Sequence, residues 1–461
     1  MREGSDLSYS HPGFTGYVGV ARADITPPVG IATRNWLVGT HDVAQGVHRP
    51  LTLTAVSFRH RVDDMPLVLL TMDQGWWRCA EDEARLRQAV AGALRLAPSH
   101  LVICLTHTHA GPCLTRADAD RPGGEHIGPY LDRLEVECVN AARAACESAE
   151  PCTISFASVR CGLATNQDLP DPRHPRVICG FHPGLPADHK LVLGRVTAIA
   201  GHPVVTLVNY ACDLTSLGWT SAQLSPDWVG SMREVVEDAT GAPLAFIQGA
   251  CANQAPRDQF TGAIEMVERN GRRMGYGVLA GLEGMLPPRT RLEFSSVANS
   301  DVPLALWKSL PAGPASACAA LCVEVNLYMR DATTFTQHQT DYEAAHDRVA
   351  AERARTWHRL RQSTGSGPMA GTTVWAWRLG DVFLVAQPHN ASVGFQTQVR
   401  SLFPQRLVMV ASFANGPYFG FLPEEDAFDV GSYAAVHAVV SPGSMEKVRD
   451  AAACGLRRLT L

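Results

Sequence analysis

Two histidines separated by a single residue, His107 and His109, carry the clearest chemistry in this sequence. They belong to residues 106–112, which directly follow an apolar run, Leu101–Leu105. If that run is a buried strand, its alternation places both imidazoles on one face, about 7 Å apart along the chain. A Gly-Pro pair then turns the chain. We expect the two side chains at a sheet edge, as a metal or proton-transfer site; the alternative is one hydrogen-bonded core imidazole and one solvated imidazole.

The composition indicates a folded protein of one large domain or two tightly merged domains. The chain has 461 residues, of which 46% are hydrophobic and 18% are charged. This is the balance of a well-packed soluble enzyme and not of a disordered chain. The formal net charge is only -5, and the sequence contains no long basic run. We therefore expect a small-molecule substrate and no nucleic-acid partner, while the oligomeric state stays open.

The sequence predicts neither a membrane span nor a secretory signal. Its longest apolar runs, such as residues 66–72, are too short to cross a bilayer. Residues 1–15 carry charged side chains, including Glu3 and Asp6, and have no apolar core of the kind that a signal peptide needs. The expected location is cytoplasmic.

The thirteen cysteines fit that location. Their number is odd, they are scattered, and no Cys-x-x-Cys pair occurs. Reduced cysteines serve in this way as small core residues, so we expect neither disulfides nor a zinc ribbon. Cys318 and Cys322 lie in an Ala-rich segment for which we predict helical packing.

Apolar periodicity and turn residues predict a mixed α/β fold, with a β-sheet core flanked by helices. Further strands are predicted at residues 18–23, 51–59, 66–72, 153–157, 192–198, 204–211, 244–248, 373–378, 382–387 and 407–412. Helices are predicted at residues 81–96, 129–149, 226–240, 264–282 and 444–456. Residues 163–190 are expected to form a long ordered loop near a site, and residues 333–362 a charged helix packed on the outside.

Polar side chains follow several of these strands. Asp213, Asn253 and Asn390 each come just after a predicted strand, as His107 and His109 do. Strand ends that open on one cavity would form an active site. Four tryptophans could wall such a cavity or serve as ordinary packing, namely Trp36, Trp76, Trp77 and Trp219. Asp73 could orient the ring of His107 or cap the next helix.

At this point the chain resembles a known family, the neutral (non-lysosomal) ceramidases and their short bacterial relatives. The resemblance covers residues 16–258 well and residues 380–433 more weakly. It rests on GVARADITPPVG at residues 19–30, GVHRPL at 46–51, THTHAGP at 106–112, NYAC at 209–212, SPD at 225–227, and QGAC at 248–251 with Pro256 and Arg257. It implies one catalytic domain over residues 1–461, completed by residues 371–461, without the C-terminal immunoglobulin-like domain of larger ceramidases. It also implies a zinc-dependent hydrolase of N-acyl bonds.

Carried over to single positions, the resemblance implies an altered zinc site. His107 matches the first zinc histidine. Asp213 stands where the second zinc histidine belongs, and carboxylates can bind zinc. Asn390 stands where a glutamate ligand belongs, although His389 beside it could ligate. Phe421 stands where a tyrosine ligand belongs. The implied metal set is His107, Asp213 and His389, with His109 as the alternative third ligand, and with zinc as the cofactor or with no metal at all.

The remaining positions concern catalysis and substrate. His109 matches the family's catalytic histidine, and Asn253 lies in the segment that carries a catalytic-site aspartate and serine in the family. Gln167 replaces an arginine that binds substrate, which implies a less anionic or differently oriented substrate. Asn390 and Phe421 are retained as candidate substrate contacts. Cys113 follows the Gly-Pro turn and is a further candidate, either as a nucleophile or as a small residue without a role.

Three interpretations follow from these departures. In the first, the protein is a hydrolase of an amide or related bond with a rebuilt metal site, and ceramidase activity itself is lost. In the second, the His107/His109 pocket works without a metal, in acyl transfer or another step of specialised metabolism. In the third, the fold is a catalytically silent binding protein. The retained histidines and the polar residues at the strand ends favour an enzyme over the third interpretation.

Overall fold

An eight-stranded sheet forms the centre of the molecule. The computed structural model describes residues 7–330, 348–365 and 367–460. The strands are β1 (Gly13–Asp24), β2 (Thr52–Arg59), β3 (Leu67–Met72), β4 (Leu101–Leu105), β5 (Glu150–Arg160), β6 (Lys190–Ala198), β7 (Pro203–Tyr210) and β8 (Leu244–Gln248). Their order is β8-β7-β6-β5-β1-β2-β3-β4. The pairs β7/β8 and β3/β4 are parallel, and the other pairs are antiparallel.

A second sheet packs on one face of the first. It contains β9 (Cys318–Tyr328), β10 (Met369–Leu379), β11 (Val382–Ala386) and β12 (Leu407–Ala411), in that order. Strand β11 shows how its position follows from its sequence. Val382, Leu384 and Ala386 face the large sheet, whereas Phe383 and Val385 face helices on the other side. Because both faces are buried, the strand reads as a continuous apolar run.

Helices cover the two outer faces. Helices α1 (Ala80–Leu94), α2 (Ile127–Glu147), α3 (Trp228–Thr240) and α4 (Ile264–Glu283) pack on the large sheet. They are followed by α5 (Arg348–Thr364), α6 (Val393–Ser401), α7 (Tyr433–His437) and α8 (Ser444–Arg458), of which α6 and α8 pack on the second sheet. The result is a four-layer arrangement of helices, two sheets and helices, so the predicted mixed α/β fold is confirmed.

Shorter elements complete the chain. A hairpin, Thr290–Ala298 and Leu304–Pro311, pairs with Ser8–Tyr9 and was missed by the sequence patterns. Two-stranded pairs join Gly46–Val47 to Gln223–Leu224, Asp168–Pro170 to Val177–Cys179, Ala164–Asn166 to Gln254–Pro256, and Asn390–Ala391 to Phe421–Leu422. The 3₁₀ turns are Pro98–His100, Arg116–Asp118, Gly124–His126 and Glu425–Phe428. The predicted loop at residues 163–190 thus contains three short strands.

Three further expectations can be compared with the structure. All thirteen cysteines are free, as predicted. The helix predicted around Cys318 and Cys322 is wrong, because this segment is strand β9 and pairs with β10 along its whole length. No helix in the described ranges is both long enough and apolar enough to cross a membrane.

The helix predicted at residues 333–362 corresponds in part to α5. Residues 331–347 lie outside the described residues. Helix α5 packs against the body, with Glu352, Ala354 and Trp357 buried. Helix α5 is therefore a wall of the cavity described below.

The segment after β12 brings distant strand ends together. Ser412 donates its N–H to the carbonyl of Gln248 at the end of β8, at 2.8 Å. Phe413 in turn accepts from Leu105 N–H at the end of β4, at 3.1 Å. This crossing covers the free edge of β4. The ends of β4, β8 and β12 consequently meet at one place, and β3 and β7, as parallel partners of β4 and β8, end beside them.

Candidate metal centre and its cavity

The two histidines converge through a turn and not through strand alternation. Strand β4 ends at Leu105, and His107 has a left-handed backbone with φ +67°. The turn is held because His107 N–H and Thr108 N–H both donate to the carbonyl of Gln74, at 2.9 and 3.2 Å. In this geometry His107 Nε2 and His109 Nε2 lie 3.3 Å apart. The expectation of two imidazoles at a sheet edge is met, but the reason given for it is wrong.

Asp213 completes the group from a strand in the other half of the sheet. It follows β7, and its N–H donates to the carbonyl of Gln254 at 2.9 Å. Its Oδ1 lies 3.5 Å from His109 Nε2 and 3.8 Å from His107 Nε2. Within the described residues, these three side chains form the group that could hold a metal ion, with ligand atoms within 4.8 Å of one another.

His107 is held as a neutral ligand. Its Nδ1–H donates to the carbonyl of Gly75 at 3.3 Å, which leaves the lone pair of Nε2 directed at the group. Burial lowers the pKa of His107 to about 4, so the ring is neutral at ordinary pH. The ring of Phe413 stacks on it at a centroid distance of 3.8 Å and an angle of 12°.

His109 is held differently. Its buried Nδ1 has no hydrogen-bond partner, whereas its Nε2 lies 3.3 Å from the lone pair of His107 Nε2 and 3.5 Å from Asp213 Oδ1, two acceptors that place the proton on Nε2. Its ring packs between Trp36 and Trp76, at centroid distances of 4.5 and 5.2 Å. The position of the ring is therefore set by aromatic packing and by the two acceptors at Nε2. Such a histidine can ligate or transfer a proton.

The donor set fits zinc. Zn–N and Zn–O bonds of about 2.0–2.2 Å at tetrahedral angles separate neighbouring ligand atoms by roughly 3.3–3.6 Å, close to the spacings seen here. Two imidazoles and a carboxylate are a ligand set of catalytic zinc sites, which keep one position open. Zinc would be held by His107, His109 and Asp213.

These residues lie in a cavity of about 490 Å³. Gln167, Asn390 and Phe421, three of the predicted substrate contacts, also line it. Its walls are mostly apolar, and the Phe, Trp and Tyr side chains among the described lining residues are Trp36, Trp76, Trp77, Trp219, Phe260, Trp357, Tyr418, Phe421 and Tyr433. All four tryptophans singled out in the sequence are therefore cavity walls.

Asn390 is a polar lining residue whose hydrogen bonding is incomplete. It is 3% exposed, and its Oδ1 has no partner. Its backbone pairs in register with Phe421, as parallel strands place them. Gln167 is satisfied by protein, because its Nε2 donates to the carbonyl of Ala252 at 3.1 Å and its Oε1 accepts from the Cys179 thiol at 3.1 Å. Asn390 is thus a polar contact that a ligand would complete.

His389 was expected as a metal ligand, and this expectation is wrong. Its Nδ1 accepts from Phe419 N–H at 3.2 Å, and its Nε2 bonds Thr372 Oγ1 at 3.0 Å. Both ring nitrogens are consumed in the second sheet's core. His109 takes the third place in the group instead.

Asn253 and Cys113 also lie outside the cavity lining. Asn253 Oδ1 accepts from Val393 N–H at 2.9 Å, at the start of α6, so its amide supports a helix and a catalytic role is not indicated. The thiol of Cys113 is buried against the carbonyl of Arg34 at 3.7 Å. Burial raises the pKa of Cys113 above its usual range. The nucleophile interpretation of Cys113 is therefore wrong.

Asp73 does not contact His107. Its Oδ1 accepts from Arg233 at 2.9 Å, and its Oδ2 accepts from Thr52 N–H at 2.8 Å. Both expectations for Asp73 are wrong, because a buried arginine on α3 takes the carboxylate. The ring of His107 is oriented by the carbonyl of Gly75.

Several lining residues had no signal in the sequence. Arg34, Arg78 and Glu352 face the cavity from separate segments, and Phe413 stacks on His107 from beyond β12. None belongs to a motif, and their proximity arises only from tertiary packing.

Two solved structures resemble this chain. One is a ceramidase complexed with C2, with a TM-score of 0.66 and 13% sequence identity over 96% of this chain and 74% of that chain. The other is the neutral ceramidase from Pseudomonas aeruginosa, with a TM-score of 0.67 and 15% identity over 96% and 73% of the two chains. The chain has the ceramidase fold. Neither the models of protein families nor the curated proteins give a match to its sequence.

Proposed function

We propose that this protein is a zinc-dependent hydrolase that cleaves an amide (N-acyl) or related bond of a small molecule. The observation that carries the proposal is the convergence of His107, His109 and Asp213 at an aromatic cavity. The ceramidase fold supports it, since the cavity lies at the strand ends where such folds place ligands. The thirteen free cysteines fit a cytoplasmic location.

Zinc held by these three residues supplies a Lewis acid for the scissile carbonyl and brings the pKa of water near neutrality. The protein's own groups do the rest. Gly75 keeps the proton of His107 on Nδ1. Asn390 offers an unpaired side-chain oxygen to an N–H of the substrate. The aromatic walls bind an apolar portion and exclude water from the reacting bond.

The proposal does not extend to ceramidase activity itself. The glutamate and tyrosine that the resemblance implies are Asn390 and Phe421 here, and both line the cavity. An amide and a phenyl ring provide neither the negative charge nor the phenol oxygen of those ligands. The metal set is smaller, so we expect a different substrate.

Zinc content tests the proposal. Protein prepared with zinc should carry about one ion per chain, and His107→Ala and Asp213→Asn should carry close to none, because two remaining ligands hold zinc weakly. His174→Ala, an exposed histidine outside the cavity, serves as the matched control. Melting temperatures establish that each variant is folded. Wild-type protein without stoichiometric zinc after preparation in zinc-supplemented medium would refute the metal site.

One observation favours a metal-free alternative. His109 Nε2 lies 3.5 Å from the carboxylate of Asp213, which orients the ring, and its Nδ1 has no partner, so His109 could act as a general base on water or a substrate hydroxyl. In that case a panel of N-acyl amides is turned over after chelation. His109→Gln then abolishes turnover. Loss of turnover on chelation and its return with zinc select the zinc-dependent reaction.

A further inference from the structure

Two arginines without a sequence signal, Arg34 and Arg78, line the same cavity as His107 and His109. Arg34 is 7% exposed, and the side chain of Arg78 is 8% exposed. A guanidinium group stays protonated in proteins. Burial of such a charge is costly unless an anion compensates it.

Neither arginine has a close anionic partner among the described residues. Arg34 Nη1 is 3.4 Å from Asp42, and its buried Nε has no hydrogen-bond partner. Arg78 Nη1 is 3.7 Å from Glu352 and 3.9 Å from Asp118. Charge-assisted hydrogen bonds are about 2.7–2.9 Å long, so these contacts are loose.

The nearby carboxylates are engaged more closely elsewhere. Glu352 accepts two hydrogen bonds from Arg121, at 3.2 and 2.8 Å. Asp118 accepts a close hydrogen bond from Arg359. Burial and the charge of Arg348 lower the pKa of Arg34, as expected for an incompletely compensated cation.

The guanidinium group of Arg78 stands one aromatic ring away from the imidazoles. Trp76 contacts His107 and His109 at centroid distances of 5.3 and 5.2 Å, and the guanidinium of Arg78 lies over Trp76 at 5.6 Å. The chain around Arg34 is fixed as well, because its carbonyl accepts from Arg78. A substrate bound at the imidazoles therefore reaches the arginines along the tryptophan wall.

The wall continues into a second, polar cavity. This cavity has a volume of about 720 Å³. It shares Arg34 and Arg359 with the cavity that contains His107 and His109. Its lining consists mainly of arginine, aspartate and other polar side chains. Apolar and charged regions thus adjoin at Arg34.

We propose that Arg34 and Arg78 form an anion subsite, so that the substrate is an N-acyl compound that carries an oxyanion such as a carboxylate. The subsite specifies the class of substrate that the proposed hydrolase would cleave. Its role as a substrate site rests on that proposed function. Gln167 stands where the family resemblance implies a substrate-binding arginine. Arg34 and Arg78 belong to other chain segments than Gln167. An anion bound to them is therefore oriented differently from an anion bound at position 167.

A matched pair of probes tests the subsite. N-decanoylglycine and its methyl ester differ only in the charged carboxylate. Isothermal titration should show that wild-type protein binds the acid at least about tenfold more tightly than the ester. Arg34→Gln and Arg78→Gln should each remove most of this preference, and Arg34→Lys should retain part of it. If turnover of a probe interferes with the titration, the His107→Ala variant is used to measure the same ratio of affinities for the acid and the ester.

Arg400→Gln is the control, because Arg400 is a buried arginine that pairs with Asp188 away from the cavity. It should keep the preference for the acid. If Arg34→Gln fails to fold, Arg78→Gln decides. Equal affinity of wild-type protein for both probes, or an unchanged preference in the folded Gln variants, overturns the subsite. A retained preference in a protein without zinc or turnover leaves the subsite standing and removes the hydrolase function.

Discussion

At the scale of single residues, hydrogen-bond partners decide which histidines can act. His107 has one nitrogen pinned to a carbonyl and the other open, whereas His389 has both nitrogens occupied. His107 also adopts a left-handed backbone, which costs a non-glycine residue roughly 1 kcal/mol or more. Such strain persists where surrounding structure enforces it, and it is common at functional sites. Residue type alone does not separate these two histidines.

His389 leads to a prediction about acid stability. Burial lowers its pKa to about 3, against 6.5 in an unfolded chain. Between these values the unfolded state binds a proton that the native state refuses, so stability falls as pH falls through this window. A proton on Nδ1 would displace the Phe419 N–H. Denaturant unfolding at about pH 7.5 and pH 5 should show that wild type loses about 2 kcal/mol more than His389→Gln.

The difference between wild type and His389→Gln isolates the effect of His389, because all other titrating groups are common to both proteins. Equal pH slopes for wild type and His389→Gln would contradict the prediction. His389→Gln should also leave zinc content unchanged, since His389 is outside the metal group.

At the scale of elements, the short segment after β12 holds the site together. Asn415 accepts from Ile103 N–H at 2.8 Å and donates to the carbonyl of Leu101 at 3.0 Å, so its side chain acts as an extra strand beside β4. Phe413 and Asn415 both have positive φ, at +53° and +56°. This conformation turns the Phe413 ring onto His107. The segment therefore supports the metal group, although it contributes no ligand.

Asn415→Ala tests this support. The substitution leaves a buried N–H and a buried carbonyl of β4 without partners, which should cost about 2–4 kcal/mol of unfolding free energy. Zinc affinity should also fall, because the Phe413 ring would no longer be held on His107. Chemical denaturation and competition with a zinc chelator measure the two effects. Asn140→Ala, on the exposed face of α2, should change stability by less than about 0.5 kcal/mol. Wild-type zinc affinity in Asn415→Ala would show that the segment is only structural.

At the scale of the whole molecule, the two sheets share one apolar interior. Phe14, Val56 and Ile247 of the large sheet pack against Trp375 and Trp377 of the second sheet. The cavity lies where strand ends from both sheets meet, so neither sheet forms the site alone. We expect the chain to unfold as one cooperative unit.

Trp377→Ala examines that cooperativity. Trp377 is fully buried between the sheets, and its Nε1–H donates to the carbonyl of Ser99 at 2.7 Å. Its removal should cost about 3–5 kcal/mol and lower the midpoint of one calorimetric transition. Trp307→Ala, a tryptophan 46% exposed on the outer hairpin, should have a much smaller effect. Two separate transitions, of which only one shifts, would mean that the sheets unfold independently.

The sequence by itself determined most strands of the two large sheets and the neighbourhood of the site, although it missed strand β9. Runs such as Leu101–Leu105 and Val382–Ala386 are apolar throughout because both of their faces are buried, and this periodicity is local. Among the polar residues just after such runs, His107, Asp213 and Asn390 line the cavity, whereas Asn253 does not.

Only the tertiary structure decided which donors meet. His109 joins the group and His389 does not, because the turn at His107 and the hydrogen bonds of Thr372 and Phe419 lie beyond any sequence period. The contact between Ile103 and Asn415 spans 312 residues of chain. Local patterns fix the face on which a side chain lies within a strand. Packing between distant segments fixes the directions of side chains where strands end, and the chemistry of this protein lies there.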